Sequence, residues 1–107
     1  MLRRTNPRLN RLQQLERLES SKRLKRLKRL KRLSFIQKVW GKADIVPGFN
    51  PRILRQDCYG DFIKRSYYGN RNSLLGWEID HVIPKCKGGS DKLYNLRPLQ
   101  WYNNASR

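Results

Sequence analysis

The chain has 107 residues, of which 25 are Lys or Arg and 8 are Asp or Glu, so its formal net charge is +17. This length suits one domain and leaves no room for a second large core. So high a charge favours a polyanionic partner, most often nucleic acid, because phosphates neutralised by basic side chains release condensed counterions. A ribosomal-type basic protein and a membrane-surface protein are the alternatives.

The sequence contains no run of about 18 apolar residues, so no transmembrane helix is predicted. Its N-terminus has no continuous apolar segment, which argues against a secretory signal, although an arginine-rich start can also belong to an organelle transit peptide. Cys58 and Cys86 are too few for a disulfide framework and form no CxxC pair. We therefore expect a reducing, cytoplasmic environment.

A leucine repeat dominates residues 9–33. Leucine occupies every third position except one, at Leu9, Leu12, Leu15, Leu18, Leu24, Leu27, Leu30 and Leu33. The intervening residues are mostly good helix formers without Gly or Pro, which predicts a helix. Because a step of three residues turns a helix by about 300°, successive leucines drift by about 60°. The repeat therefore gives no continuous apolar stripe that could pack on a core.

Residues 1–40 are predicted to form a basic arm, either a long helix or a disordered segment, with 14 basic and 2 acidic residues. We expect this arm to bind phosphates without reading base sequence. Its representative contacts are Lys25, Arg26, Lys28 and Arg29. One alternative is a solvated charged helix with no specific role. Another is a surface-active helix on anionic lipid, against which the drifting leucines argue.

Residues 41–107 are predicted to form the globular domain, since Gly41 ends the arm and Pro-Gly and Asn-Pro turns follow. Within it, residues 51–58 are predicted to form a short helix with Ile53 and Leu54 facing inward.

A first strand is predicted over residues 61–68, with Phe62 and Ile63 buried.

The last third of the chain predicts strand, loop, strand and helix, which makes the domain α+β. Residues 77–83 alternate apolar and polar side chains as a strand does, and Pro84 ends the run. Residues 93–99 are predicted to form the second strand, and a short helix is predicted to begin at Gln100. The predicted core side chains are Trp77, Ile79, Ile83, Leu96, Leu99 and Trp101.

Candidate chemistry centres on His81, the only histidine in the chain, which directly follows Asp80. A neutral imidazole can accept a proton from water at pH 7. The Asp80 carboxylate and the Asn104 amide are oxygen donors of the kind that Mg²⁺ or Mn²⁺ prefers. Neighbours in a regular strand point to opposite faces, so Asp80 and His81 can serve one site only if the strand ends or twists there. An isolated Asp-His pair is also common as a purely structural pair.

The order of motifs in residues 76–107 resembles that of the HNH endonuclease family, with weaker similarity reaching back to residue 46. The motifs are EIDHVIP at 78–84, GGSD at 88–91, NLRPL at 95–99 and the Asn pair at 103–104. The resemblance implies a small ββα-metal domain and metal-dependent hydrolysis of phosphodiester bonds in DNA.

The resemblance also implies a role for each matching residue. His81 would be the general base, Asp80 and Asn104 would hold Mg²⁺ or Mn²⁺, and Asn95 would brace the two strands. Asn103 is the competitor for the position of Asn104. Many members of the family carry a four-cysteine zinc site, which two cysteines cannot form, so no structural zinc is expected.

The implied partner is double-stranded DNA, in the cytoplasm of a bacterial or phage-infected cell, and the size suits a phage or mobile-element protein. Lys85, Lys87, Arg97 and Arg107 are predicted phosphate contacts, with Arg65 and Arg71 extending them. Surface solubility is the alternative explanation for each of these basic residues. The alternative for the whole chain is a catalytically inactive, basic nucleic-acid-binding protein.

Overall fold

The computed structural model describes residues 7–106, with side chains described from Asn10 onward. The chain divides into two compact units, of which the first ends at Ser34 and the second begins at Phe35. The elements are α1 (Pro7–Trp40), β1 (Asp44–Ile45), β2 (Leu54–Gln56), β3 (Phe62–Lys64), β4 (Trp77–His81), β5 (Leu96–Gln100) and α2 (Trp101–Ala105). An N-terminal helix and two small antiparallel sheets make the fold α+β.

Residues 7–34 of the first unit are helical, as the composition of the arm predicts. All of its side chains from Arg11 to Ser34 are exposed. The leucines of the repeat from Leu12 to Leu33 retain between 44% and 62% of their accessible surface, because their drift around the helix gathers them on no single side. No helix within residues 7–106 is long and apolar enough to cross a membrane.

The last turns of α1 belong to the second unit, although the sequence divides the chain after residue 40. Ile36, Val39 and Trp40 are buried there and have the mixed spacing of three and four that one face of a helix requires. The ring of Trp40 lies 5.3 Å from that of Trp77. The boundary between the units therefore falls before this turn of helix.

The first sheet has the order β1-β2-β3 and replaces the short helix predicted over residues 51–58, which is wrong. Asn50 Oδ1 accepts the backbone N–H of Arg52 and forms a turn, after which β2 pairs with both neighbours. Arg55 donates to the carbonyl oxygens of Pro51, Gly41 and Ala43. The two distant partners, Gly41 and Ala43, favour an extended chain, and Ile53 remains exposed.

β3 is shorter than the strand predicted over residues 61–68, because a 3₁₀ turn begins at Arg65. Ile63 is fully buried, as predicted, whereas Phe62 is 43% exposed. Consecutive residues of a strand point to opposite sides, so only one of this pair can face the core.

The second sheet is the hairpin of β4 and β5, and both strands differ in length from their predictions. β4 ends at His81, and the predicted continuation to residue 83 is wrong because Val82 and Ile83 turn outward into the loop. The strand predicted from residue 93 begins only at Leu96, after a 3₁₀ turn. Among the predicted core residues Trp77, Leu96 and Leu99 are buried, Ile79 and Trp101 are partly exposed, and Ile83 is exposed.

Candidate functional site

The Asp-His pair lies where β4 leaves the sheet. In the hairpin Asp80 is opposite Arg97 and His81 is opposite Leu96. Asp80 is 6% exposed, whereas His81 is partly exposed. His81 is the last residue of β4, and Asp80 directly precedes it.

Asn95 holds the loop that follows His81. Its Oδ1 accepts the N–H of Ile83 at 2.9 Å, and its Nδ2 donates to the carbonyl oxygens of Ile83 at 3.0 Å and Ser90 at 2.7 Å. Gly89 allows the loop to close, since a Cβ there would lie 1.7 Å from the carbonyl oxygen of Ile83. Asn95 therefore connects Ile83 and Ser90, two residues of this loop.

His81 is paired with a carboxylate that the sequence did not indicate. Its Nε2 lies 2.7 Å from Oδ1 of Asp91, and the Nζ of Lys85 lies 3.0 Å from the same oxygen. The hydrogen bond with His81, followed by that with Lys85, lowers the pKa of Asp91 below its usual value. An ionised carboxylate only accepts, so Nε2 of His81 is the donor. In the neutral ring Nδ1 is then the nitrogen that can take a proton.

Asp80 forms an ion pair with Arg97. The guanidinium Nε donates to Oδ2 of Asp80 at 2.8 Å, and the two side chains are 24% and 7% exposed. Arg97 also donates to the sulfur of Cys58 at 3.3 Å and lies over the ring of Tyr59. Burial by itself lowers the pKa of Arg97. The hydrogen bond to Asp80 and several smaller favourable interactions together outweigh burial, so the pKa of Arg97 is raised.

Asn104 is oriented by a carboxylate two residues before Asp80 on β4. Its Nδ2 donates to Oε1 of Glu78 at 3.0 Å. Arg71 holds the same carboxylate through two hydrogen bonds of 2.8 Å. The hydrogen bond from Arg71, more than that from Asn104, lowers the pKa of Glu78 against the opposing effect of burial. Because Glu78 fixes the amide nitrogen, the amide oxygen of Asn104 is directed away from this carboxylate.

Asn103 has different partners. Its Nδ2 donates to Asp57 at 2.8 Å and to Asp61 at 2.6 Å. Asp57 is almost fully buried and also accepts the N–H of Gln100 at the start of α2. The two neighbouring asparagines therefore turn to different parts of the domain.

One cleft brings together four of the predicted site residues, namely Asp80, His81, Lys85 and Asn104. Its lining is Ile79, Asp80, His81, Pro84, Lys85 and Asn104. Asn104 comes from α2, whereas Asp80 and His81 come from the end of β4. Asn103 is not part of this lining.

The predicted phosphate contacts lie in several places. Lys85 lines the cleft, Lys87 is exposed at the end of the 3₁₀ turn Lys85–Lys87, and Arg97 is bound to Asp80. Those of the arm are exposed on α1 in the first unit, namely Lys25, Arg26, Lys28 and Arg29. Arg107 lies outside the described residues.

The donors in the cleft fit a hard divalent cation in their chemistry. Asp80 supplies a carboxylate and Asn104 an amide oxygen, and Mg²⁺ is commonly bound by one or two such groups with waters completing its shell. Arg97 donates a hydrogen bond to Oδ2 of Asp80. Within residues 7–106 no group of three or more His, Cys, Asp or Glu side chains is arranged to hold a metal ion. Cys58 and Cys86 are both exposed thiols.

Sequence reasoning missed Glu78, Asp91 and Asp57, which position the residues of the cleft and of α2. A signal existed for Glu78, since residues 78 and 80 share one face of a strand. Asp91 belongs to the GGSD motif, but nothing in the motif indicated that it pairs with His81. No signal existed for Asp57, because its partners Gln100 and Asn103 are distant in sequence.

The chain matches no protein-family model, no curated protein and no solved structure. Its function therefore has to be argued from the chemistry of this cleft and from the charge of the arm.

Proposed function

We propose that this protein is an HNH-type endonuclease of the ββα-metal class that hydrolyses phosphodiester bonds in DNA with Mg²⁺ or Mn²⁺. The observation that carries the proposal is the cleft in which His81, Asp80 and Asn104 meet. A base and two oxygen donors on one concave surface are what hydrolysis of a phosphodiester requires. The motif order in residues 76–107 points to the same chemistry.

His81 acts as the general base in this proposal and takes a proton from the attacking water. Asp91 fixes the orientation of the imidazole through its bond to Nε2 and stabilises the ring when it becomes charged. Asn95 maintains the loop between His81 and Asp91 through its hydrogen bonds to Ile83 and Ser90.

Asp80 and Asn104 hold the divalent cation, and Glu78 keeps the amide of Asn104 in the orientation that presents its oxygen. When bound, the cation supplies positive charge that offsets the negative charge developing on the phosphate. Lys85 lines the cleft, and Lys87 is exposed nearby in sequence, so both are suited to contact flanking phosphates.

The arm raises the affinity for DNA through phosphate contacts that do not depend on base sequence. On the basis of the family resemblance, we also propose that the protein acts in the cytoplasm of a bacterial or phage-infected cell and belongs to a phage or mobile element.

The second candidate is a basic nucleic-acid-binding protein without catalytic activity. The ion pair of Arg97 with Asp80 favours it, because a guanidinium already neutralises the carboxylate that a cation would need. This candidate predicts salt-sensitive DNA binding that His81→Ala leaves unchanged.

The deciding experiment is cleavage of supercoiled plasmid by the purified protein in Mg²⁺, in Mn²⁺ and in EDTA. We expect nicking or linearisation in either metal, no cleavage in EDTA and none by His81→Ala, which should still bind DNA. Tyr94→Ala, prepared in the same way, is the matched control. This side chain is 79% exposed, so its removal should leave cleavage intact. Binding without cleavage by the unmodified protein in every metal would support the second candidate.

A further inference from the structure

The basic arm has no single charged face. Residues 22–33 consist of four consecutive Lys-Arg-Leu triplets, so two basic residues precede each leucine. Because each step of three residues drifts by about 60°, the four triplets distribute their basic side chains around the helix axis. All of these side chains are exposed.

We propose that this helix binds in the major groove of duplex DNA, with phosphates of both strands on either side of it. This inference rests on the proposed DNA partner and is independent of cleavage. A flat anionic surface or a single strand lies on one side of a helix and leaves the basic residues on the other side unused. A groove about 12 Å wide admits a helix about 10–12 Å across and places phosphates along both of its flanks.

The charge densities of the two partners are similar. Residues 22–33 carry eight basic side chains. At about 1.5 Å per residue they extend over about 18 Å, which is one positive charge per roughly 2.3 Å. Duplex DNA carries one negative charge per about 1.7 Å of its axis. Nearly all of the basic side chains in this segment can therefore find a phosphate if both flanks are used.

Two further properties of the segment agree with a groove. Like charges three and four residues apart destabilise a free helix by about 0.2–0.5 kcal/mol per pair, and phosphates on both flanks relieve that repulsion. The leucines between the basic pairs, such as Leu27 at 51% exposed and Leu30 at 62%, are dispersed rather than gathered. Dispersed leucines suit contacts with thymine methyl groups in the groove better than insertion of one apolar face into lipid.

The test uses two variants of the full chain that each lose four positive charges from opposite sides of the helix. The first set changes Lys22, Lys25, Arg26 and Arg29 to Gln. The second set changes Arg17, Arg23, Lys28 and Lys31 to Gln. Each set removes two lysines and two arginines, and Gln is nearly as good a helix former as either. Circular dichroism of both variants checks that the helix is retained.

Affinity for a short DNA duplex is measured in EDTA at several salt concentrations, so that cleavage plays no part. Groove binding predicts that both sets lower affinity by a similar factor and reduce the slope of log K against log salt by similar amounts, up to roughly 3–4 each. One set with its full effect and the other with none would overturn the groove while leaving DNA as the partner. No binding of the duplex by the unmodified protein would overturn the partner as well.

Duplex RNA of the same length and vesicles of anionic lipid serve as competing partners. The A-form major groove is deep and narrow, so the groove proposal predicts weaker binding to duplex RNA. Equal affinity for the RNA duplex, or tighter binding to the vesicles than to DNA, would contradict it.

Discussion

Replacing Arg97 by Gln tests whether a cation can share the buried carboxylate of Asp80. The substitution removes the guanidinium, whose Nε lies 2.8 Å from Oδ2 of Asp80, and leaves a charge that is 7% exposed. Loss of one partner from a buried ion pair costs about 3–5 kcal/mol. Because Arg97 itself is 24% exposed, we expect the lower end of that range. In a domain of this size about 3 kcal/mol lowers the melting temperature by roughly 12–24 °C.

Mg²⁺ should recover part of this loss if Asp80 and Asn104 bind it. A ligand at about 100 times its Kd stabilises the folded state by about 2.7 kcal/mol. The variant lacks the guanidinium that pairs with Asp80, so Mg²⁺ should raise its melting temperature more than that of the unmodified protein. Thermal unfolding followed by tryptophan fluorescence, in Mg²⁺ and in EDTA, measures the difference.

The control is the double variant Asp80→Asn with Arg97→Gln. It carries no buried charge at this position, so its stability should exceed that of Arg97→Gln alone and should not respond to Mg²⁺. An equal response to Mg²⁺ in the single and double variants would show that the cation binds elsewhere. No response in the unmodified protein or in Arg97→Gln would remove the metal site from the cleft.

Four other predictions concern the loop, α2, the hairpin and the arm. Asn95→Ala should lower the free energy of unfolding in urea by about 3 kcal/mol, because three hydrogen bonds worth about 1 kcal/mol each are lost; a change below about 0.5 kcal/mol would contradict that assignment. Asn104→Ala should raise the Mg²⁺ concentration needed for cleavage, whereas Asn103→Ala should chiefly lower stability, and the reverse ranking would exchange their roles. The lowered pKa of Glu78 gives stability that is present above the ordinary value of 4.5 and lost as pH falls through the lower folded pKa. Acid unfolding of Glu78→Gln should therefore depend less on pH in that interval, and an identical profile would count against the contribution of this carboxylate. Deletion of residues 1–33 should weaken DNA binding and flatten its dependence on salt, and an unchanged slope would exclude phosphate contacts by the arm.

The hairpin was predictable because its signals are local. Alternation in β4 and the proline after it indicate a strand that ends near His81. The start of β5 was not predictable, because Leu93–Asn95 form a 3₁₀ turn whose geometry depends on distant groups. Among them is Lys42, whose Nζ donates to the carbonyl oxygens of Leu93 and Leu96. A side chain this far away in sequence leaves no trace in a local pattern.

The burial of Trp40 shows a second limit. Residues 36–40 follow a long exposed repeat on the same helix, so their mixed spacing is too short to stand out from it. Their burial depends on Trp77, whose ring packs at 5.3 Å, and on Ile63 from the other sheet. The sequence supplies the apolar residues, but only their packing shows that they belong to the second unit and not to the leucine repeat.

The residues of the candidate site were predictable as a motif, whereas their partners were not. Arg97 and Arg71 were both predicted to contact phosphate, and each forms an ion pair with a carboxylate of β4. Basic residues near a proposed active site can contact phosphate or pair with a carboxylate. Sequence alone does not distinguish a phosphate partner from Asp80 or Glu78. The distinction matters because the pair with Arg97 neutralises Asp80, which is proposed to hold the cation.

The position of Asn104 depends on tertiary contacts more than on the helix that carries it. α2 has five residues, and isolated helices shorter than about 12–15 residues are marginal in water. Side chains hold it instead: Gln100 accepts the N–H of Asn103, and the indole of Trp101 donates to the carbonyl oxygen of Ser73. Glu78 completes this set by binding Asn104 while Arg71 holds Glu78. The amide oxygen proposed to bind the cation is therefore positioned by an ion pair on the neighbouring strand, which ties the geometry of the cleft to the hairpin.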